Sequence, residues 1–224
     1  MKITWLGQGG LLFENNSLKI MIDPYFSDSV EKINPESFRR VPADEEFLTI
    51  KPDIMVFTHN HLDHYDPETV GKFITEKSRI TVLSPASVWN EVRKIRGKNN
   101  YVCFNAGSSW TCNGVTVYAV KAEHSDPDAI GVLIDDGEKK YYITGDTLYN
   151  EYIFNMLPED IYAVFLPVNG AGNNMNFSDA LRFVKRVNPK YAVPVHFGMF
   201  DEIDVTKWEC DNKIIPKIYK EVEI

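Results

Sequence analysis

Three of the chain's five histidines and two aspartates fall within the nine residues Thr58 to Asp66, T-H-N-H-L-D-H-Y-D. Imidazole and carboxylate at this density suit a divalent metal, and the H-x-H-x-D-H order leaves coordination to be completed from elsewhere in the chain. If the backbone stays extended through the cluster, His59, His61 and Asp63 alternate onto one side while His64 points away, so the loop can serve two adjacent ions. His124 follows the segment Val115 to Glu123, Asp146 follows Lys139 to Gly145, and His196 follows Tyr191 to Val195. Taken singly, each is more simply a hydrogen-bonded structural residue or, for Asp146, a turn residue or helix cap. Taken together, four strand ends that each deliver His or Asp point to one metal centre at one edge of a sheet core.

The elements that must position these side chains are mostly strands. Ile54-Met55-Val56-Phe57 is a short apolar run that reads as a buried strand, and Asp66-Pro67-Glu68 supplies an N-cap, a first-turn proline and an acid for a helix to about Lys77. Upstream, Lys2 to Leu6, Gly10 to Glu14 and Leu18 to Ile22 form a meander turned at Asn15-Asn16. Downstream, a strand over Ile80 to Leu83 leads to a helix from Ser84-Pro85 to Arg96. Tyr101 to Phe104 is strand-like, and hairpins follow at Asn113-Gly114 and Asp136-Gly137. Thr147 to Leu157 reads as helix, Ile161 to Val168 as strand, and Ser178 as the cap of a helix through Val187. Gly7-Gln8-Gly9-Gly10 is not a dinucleotide loop, because Leu12 stands where the third glycine belongs and no helix follows. Asp23 to Lys51 has no clean period; a connection of that length is expected near the metal loop, with a plain surface excursion as the alternative.

With H-x-H-x-D-H followed by His124, Asp146 and His196, the sequence resembles the metallo-β-lactamase superfamily of hydrolases over nearly its whole length. The resemblance implies an α+β fold, an αββα sandwich with the site at the rim between two sheets. It implies His59, His61 and His124 on a first metal, Asp63, His64 and His196 on a second, and Asp146 between them. Trp5-Leu6-Gly7-Gln8, His124-Ser125-Asp126, Gly145-Asp146-Thr147, Pro167-Val168-Asn169-Gly170 with Asn174-Met175, and Pro194-Val195-His196-Phe197 look like the L-ascorbate 6-phosphate lactonase-like branch. The diiron, oxygen-reducing branch carries Glu where His61 stands, which argues for hydrolysis over a redox role.

Imidazole and carboxylate donors suit Zn²⁺, with Mn²⁺ as the alternative and Fe open at such sites, in a two-metal arrangement. The expected chemistry is hydrolysis by a metal-bound hydroxide on a small, anionic metabolite, a lactone or other cyclic ester, with Asp63 orienting the water. A phosphodiesterase acting on a nucleotide or phospholipid head group is the second reading, and a non-hydrolytic redox or binding module the third. Asn169 and Asn174 are candidate hydrogen-bonding groups for substrate, Arg39, Arg40 and Lys121 candidate phosphate partners, and Tyr25 and Tyr149 candidate lining residues. At 224 residues and 44% hydrophobic content the chain fits one domain, 1–224. The net charge of -8 argues against a broad nucleic-acid or anionic-membrane surface. No apolar run reaches spanning length and the start lacks a signal-peptide core, so a cytoplasmic protein is expected, with homo-oligomerisation left open. The three cysteines are expected to be reduced, with Cys103 and Cys112 as small buried hydrophobes.

Overall fold

A computed structural model describes all of residues 1–224. Two mixed sheets stack face to face. The first has seven strands in the order β13-β1-β2-β3-β4-β5-β6: β1 (Lys2–Gly7), β2 (Gly10–Glu14), β3 (Lys19–Ile22), β4 (Ile54–Val56), β5 (Thr81–Ser84), β6 (Asn100–Cys103) and β13 (Lys220–Glu221). The second has six, in the order β12-β11-β10-β9-β8-β7: β7 (Ser109–Cys112), β8 (Val115–Lys121), β9 (Ile130–Asp135), β10 (Lys140–Ile143), β11 (Ala163–Pro167) and β12 (Tyr191–Val195). Helices α1 (Ser29–Ile33), α2 (Pro67–Phe73), α3 (Ala86–Val92) and α4 (Phe177–Val187) complete the αββα sandwich.

Strands β1 to β5 of the first sheet read as continuous apolar runs because both faces are buried, while the edge strands β6 and β13 are largely exposed. Along them, alternate side chains enter different cores. Ile3, Trp5, Leu11, Phe13, Ile20 and Ile22 face the large core shared with the second sheet. Leu6, Leu12, Met21, Met55 and Phe57 face a smaller core closed by α2 and α3, which contribute Val70, Phe73, Val88 and Val92. On the other side of the sandwich, α4 buries Ala180, Phe183 and Val184.

Strand direction explains where the chemistry gathers. β1 and β3 are both antiparallel to β2, and β4 is parallel to β3, so β1, β3 and β4 end at one edge of the first sheet. In the second sheet β8 and β10 flank β9 antiparallel, while β10, β11 and β12 are parallel, so these four also end together. The edges meet where Ile130 N–H donates to Thr58 O at 2.9 Å. Carboxyl ends of parallel strands are the usual place for ligands in open α/β sheets, and here both sheets present theirs side by side.

Several expected elements are shorter than the sequence suggests. Asp66 is the N-cap of α2, its carboxylate accepting from Glu68 N and Thr69 N, but the helix stops at Phe73 because Ile74 turns extended. α3 likewise ends at Val92, not Arg96. The cap of α4 is Asn176 and not Ser178. Thr147 to Leu157 is not an α-helix: a 3₁₀ turn spans only Glu151–Met156. The reason is local, since Thr147 N–H donates to Asn174 Oδ1 and Leu148 N–H to Glu123 O, which holds the chain extended beside the site. Cys103 is exposed and Cys112 half-buried, contrary to expectation, because β6 and β7 are edge strands; Cys210 is the buried one.

Asp66 also accepts from the Thr69 hydroxyl and is fully buried, so its removal orphans two backbone N–H groups at the exit of the His/Asp loop. Asp66→Ala is expected to cost about 1–2 kcal/mol, read as a lower midpoint with unchanged slope in urea unfolding.

Candidate metal centre

The nine-residue cluster leaves β4 as an irregular loop and meets His124 beyond β8, Asp146 beyond β10 and His196 at the end of β12. Two triads result. His59, His61 and His124 form one, Asp63, His64 and His196 the other, with the ligand atoms of each within 4.8 Å of one another. Asp146 stands against the second triad, Oδ1 3.3 Å from His64 Nε2 and Oδ2 3.2 Å from His196 Nε2. The rings of His59 and His64, one from each triad, lie with centroids 4.1 Å apart and planes tilted by 46°, so the triads are contiguous.

Hydrogen bonds on the far side of each ring determine which nitrogen is free. His124 Nδ1 faces Asn173 O at 3.3 Å, an acceptor, so Nε2 carries the lone pair. His61 Nε2 is engaged by Ser125 Oγ at 3.2 Å, and its Nδ1 lies 3.1 Å from His124 Nε2. His64 Nδ1 donates to Asp23 Oδ2 at 2.8 Å. Thr58 Oγ1 donates its only proton to the same oxygen at 2.5 Å, so it accepts from His59 Nδ1 at 3.0 Å. Asp23, at the end of β3, thereby fixes the Nε2-open form of one histidine in each triad. Thr58 N–H donates to its other oxygen at 2.8 Å.

Both Nε2 atoms so freed, His59 and His64, are buried without a hydrogen-bond partner. Orphaned buried nitrogens are costly unless something satisfies them, and here they converge with carboxylates and two further imidazoles. The residues therefore fit a pair of divalent ions: oxygen and nitrogen donors, no thiolate, and their outward faces already oriented. The open side is formed by His61, Asp63 and His124, which are partly exposed, while His59, His64, Asp146 and His196 are buried.

Without metal, protons take the cations' place. Burial disfavours a charged His196, but Asp146 and Asp63 outweigh it and raise its pKa to about 10. Burial opposes charge on His64 too, and Asp146, Asp63 and Asp23 lift it well above the usual range. Burial alone would raise Asp63 and Asp146; His64 and His196 hold both below the ordinary carboxylate range. Burial and the neighbouring His64 push His59 well down, so it stays neutral. Burial lifts Asp23 despite its contacts to His64 and Thr58.

The other expected site residues are placed differently. Asn174 is buried and its amide donates to Asp146 Oδ2 at 2.8 Å, so it holds that carboxylate instead of facing substrate. Asn169 lies against His196 Nδ1 at 3.0 Å and orients that ring. Tyr25 is buried, its hydroxyl accepting from Val30 N–H at 3.1 Å. Arg39 is committed to the protein: it donates to Tyr25 O at 3.1 Å and to the Tyr219 hydroxyl at 2.8 Å, and lies over the Tyr25 ring. Neither lines the metal cluster. Arg40 pairs with Glu202, and Lys121 donates to Pro127 O. Tyr149 packs with Phe154 and Arg182.

Sequence reasoning passed over Asp23, Thr58, Gln8 and Gly9. Gln8 donates from Nε2 to Asp63 Oδ2 at 3.0 Å, and its carbonyl accepts from His196 N–H at 3.0 Å, tying β1 to the second triad. A Cβ on Gly9 would sit 2.6 Å from His64 Cε1. The available signal was positional: Gln8 and Asp23 also follow strands that end at this edge.

Against known proteins, residues 19–197 match the family described as the Beta-lactamase superfamily domain. The chain belongs to the metallo-β-lactamase superfamily of metal-dependent hydrolases. Within that class it is similar to a UPF0173 metal-dependent hydrolase of Carboxydothermus hydrogenoformans, 29% identical over 225 residues, covering 95% of this chain and 92% of the relative. In fold it is similar to Igni18, a metallo hydrolase of Ignicoccus hospitalis, with TM-score 0.75, 22% identity and coverage of 99% and 97%. The diiron β-hydroxylase CmlA of Streptomyces venezuelae shares the fold as well, with TM-score 0.75 and 16% identity over 100% of this chain and 54% of that one. Fold alone therefore does not separate hydrolysis from redox chemistry.

Asp23→Asn keeps the shape but has one acceptor oxygen in place of two, so it cannot serve both the Thr58 N–H on one side and the Thr58 hydroxyl with His64 on the other. Metal affinity is therefore expected to fall by about 10–100-fold in chelator competition, with circular dichroism unchanged. Unaltered affinity would remove Asp23 from its orienting role. The His196 pKa, raised from 6.5 to about 10, contributes stability that is fully present below 6.5 and is lost as pH rises toward 10. The chelated protein is thus expected to lose Tm across that interval, and the metal-loaded protein to lose less, by differential scanning calorimetry.

Proposed function

We propose that the protein hydrolyses a lactone or other cyclic ester of a small, anionic metabolite. The observation that carries hydrolysis is the pair of contiguous triads, with His61 Nδ1 turned toward His124 in the first and a partly exposed Asp63 in the second. A divalent pair held by these residues, Zn²⁺ as the best match to the donors and Mn²⁺ as the next, would supply Lewis acidity and would acidify a water molecule toward neutral pH.

The chain's own residues would do the rest. Gln8 pins Asp63 through Oδ2, leaving Oδ1 without a protein hydrogen bond. That oxygen can take the proton of the attacking water as the new C–O bond forms, then return it to the alkoxide as the ring C–O bond breaks. Asn174 and Asn169 keep Asp146 and His196 in place, so the second triad need not reorganise. Exposed Asn173, on the loop whose carbonyl holds His124, is left free to meet the substrate's hydroxyls.

Arg39, Arg40 and Lys121 are occupied by protein partners, which leaves the metal centre as the main attraction for a negative substrate and favours a cyclic ester over a phosphodiester clamped by guanidinium. In a screen of metal-reconstituted protein, sugar-phosphate lactones are expected to turn over and simple phosphodiesters are not. Turnover of phosphodiesters alone, lost with chelator, would replace this reading with a phosphodiesterase. Asp63→Asn is expected to lower kcat by about 10²–10⁴-fold per metal-loaded chain.

A further inference from the structure

A second cleft lies at the opposite end of the first sheet from the metal centre. It has a volume of about 570 Å³ and is built from the segment that enters β4, the last turn of α2 and the loop that enters β5. Because β4 and β5 run parallel, the residues before them open at the edge away from the His/Asp loop. The volume falls within the range of about 300–1,000 Å³ usual for small-molecule sites.

Its lining has two characters. Leu48, Ile50, Phe73 and Ile80 form an apolar floor, with Phe73 and Ile80 themselves part of the core beneath α2. Lys51, Lys72, Lys77 and Arg79 stand exposed around it, and none of the four is ion-paired. The single lining carboxylate, Asp53, is engaged as acceptor for Lys19 N–H at 2.8 Å. Four cations without ion pairs around one hollow make this end locally positive on a chain of net charge -8. Thr75 and Ser78 add hydroxyls at the same rim: Ser78 Oγ donates to Asn99 Oδ1, and the Thr75 hydroxyl accepts from the Lys77 and Ser78 N–H groups.

We infer that this cleft binds a small phosphate monoester with an apolar or aromatic body, such as a nucleotide, at a site separate from the metal centre. The body would cover the half-exposed Leu48 and Ile50 above the Phe73 and Ile80 floor, and the phosphate would face Lys72, Lys77 and Arg79. α2 runs from the Asp66 cap beside the His/Asp loop to Phe73 in the cleft, so one short helix touches both sites.

The test is calorimetric titration of the full-length, metal-loaded protein with adenosine 5′-monophosphate and with hexyl phosphate, using adenosine and inorganic phosphate as part-probes. At least one monoester is expected to bind more tightly than either part, with affinity that falls as salt rises. The double variant Lys72→Glu/Arg79→Glu, at exposed positions, is expected to weaken that binding by at least about tenfold with unchanged circular dichroism. His61→Ala, which alters the metal centre, should leave it intact, so failure of this proposal and failure of the hydrolase reading remain distinct. No binding of either monoester, equal binding of inorganic phosphate, or binding lost in His61→Ala but kept in the charge-reversed protein would each overturn it.

Discussion

The centre depends on one buried carboxylate. Asp23 receives the Thr58 hydroxyl and His64 Nδ1 on a single oxygen, and through Thr58 it orients His59. Imidazole has two nitrogens and no intrinsic preference strong enough to choose between them in a crowded site; the bond on the far side chooses. Asp23 makes that choice for both triads at once, from a position at the end of β3 where its backbone N–H already donates to Val56 O in β4. The fold and the donor set are thus joined at the same residue. The positive φ of Asp23, 41°, and of His196, 60°, are the local backbone cost of turning these side chains inward.

Around that fork, strand direction does most of the assembly. Gln8, Asp23, His124, Asp146, Asn169 and His196 all follow strands that end at the same rim of the sandwich, and the two sheets share it. Each contribution is simple by itself: a polar residue placed just past an apolar strand. Their convergence requires only that β1, β3 and β4 in one sheet, and β8, β10, β11 and β12 in the other, run the same way. No helix here is long and apolar enough to cross a membrane, and the helices present serve to close the outer faces.

Much of this was legible in the sequence, for physical reasons that also mark where legibility stopped. The H-x-H-x-D-H spacing and the later His and Asp residues pointed to side chains that the fold does bring together, because such residues are rarely dense without cause. The apolar runs identified strands because both faces are buried, which leaves little room for misreading. The supporting residues were hidden, since an isolated Asp23 before a proline or a Gln8 between glycines reads as turn chemistry. Asn174 was misread for the complementary reason: an asparagine in a Gly-rich loop advertises hydrogen bonding but not its direction. The helix boundaries went wrong where loop residues such as Thr147 find partners across the sheet, a tertiary effect that local propensity does not contain.

Anomalous diffraction from crystals grown with Zn²⁺ or Mn²⁺ tests the central claim most directly. Two peaks are predicted, roughly 3.5–4 Å apart, one among His59, His61 and His124 and the other among Asp63, His64 and His196. A single peak, or metal bound elsewhere with Asp23 still bonded to His64 and Thr58, would contradict the two-metal centre built on that fork.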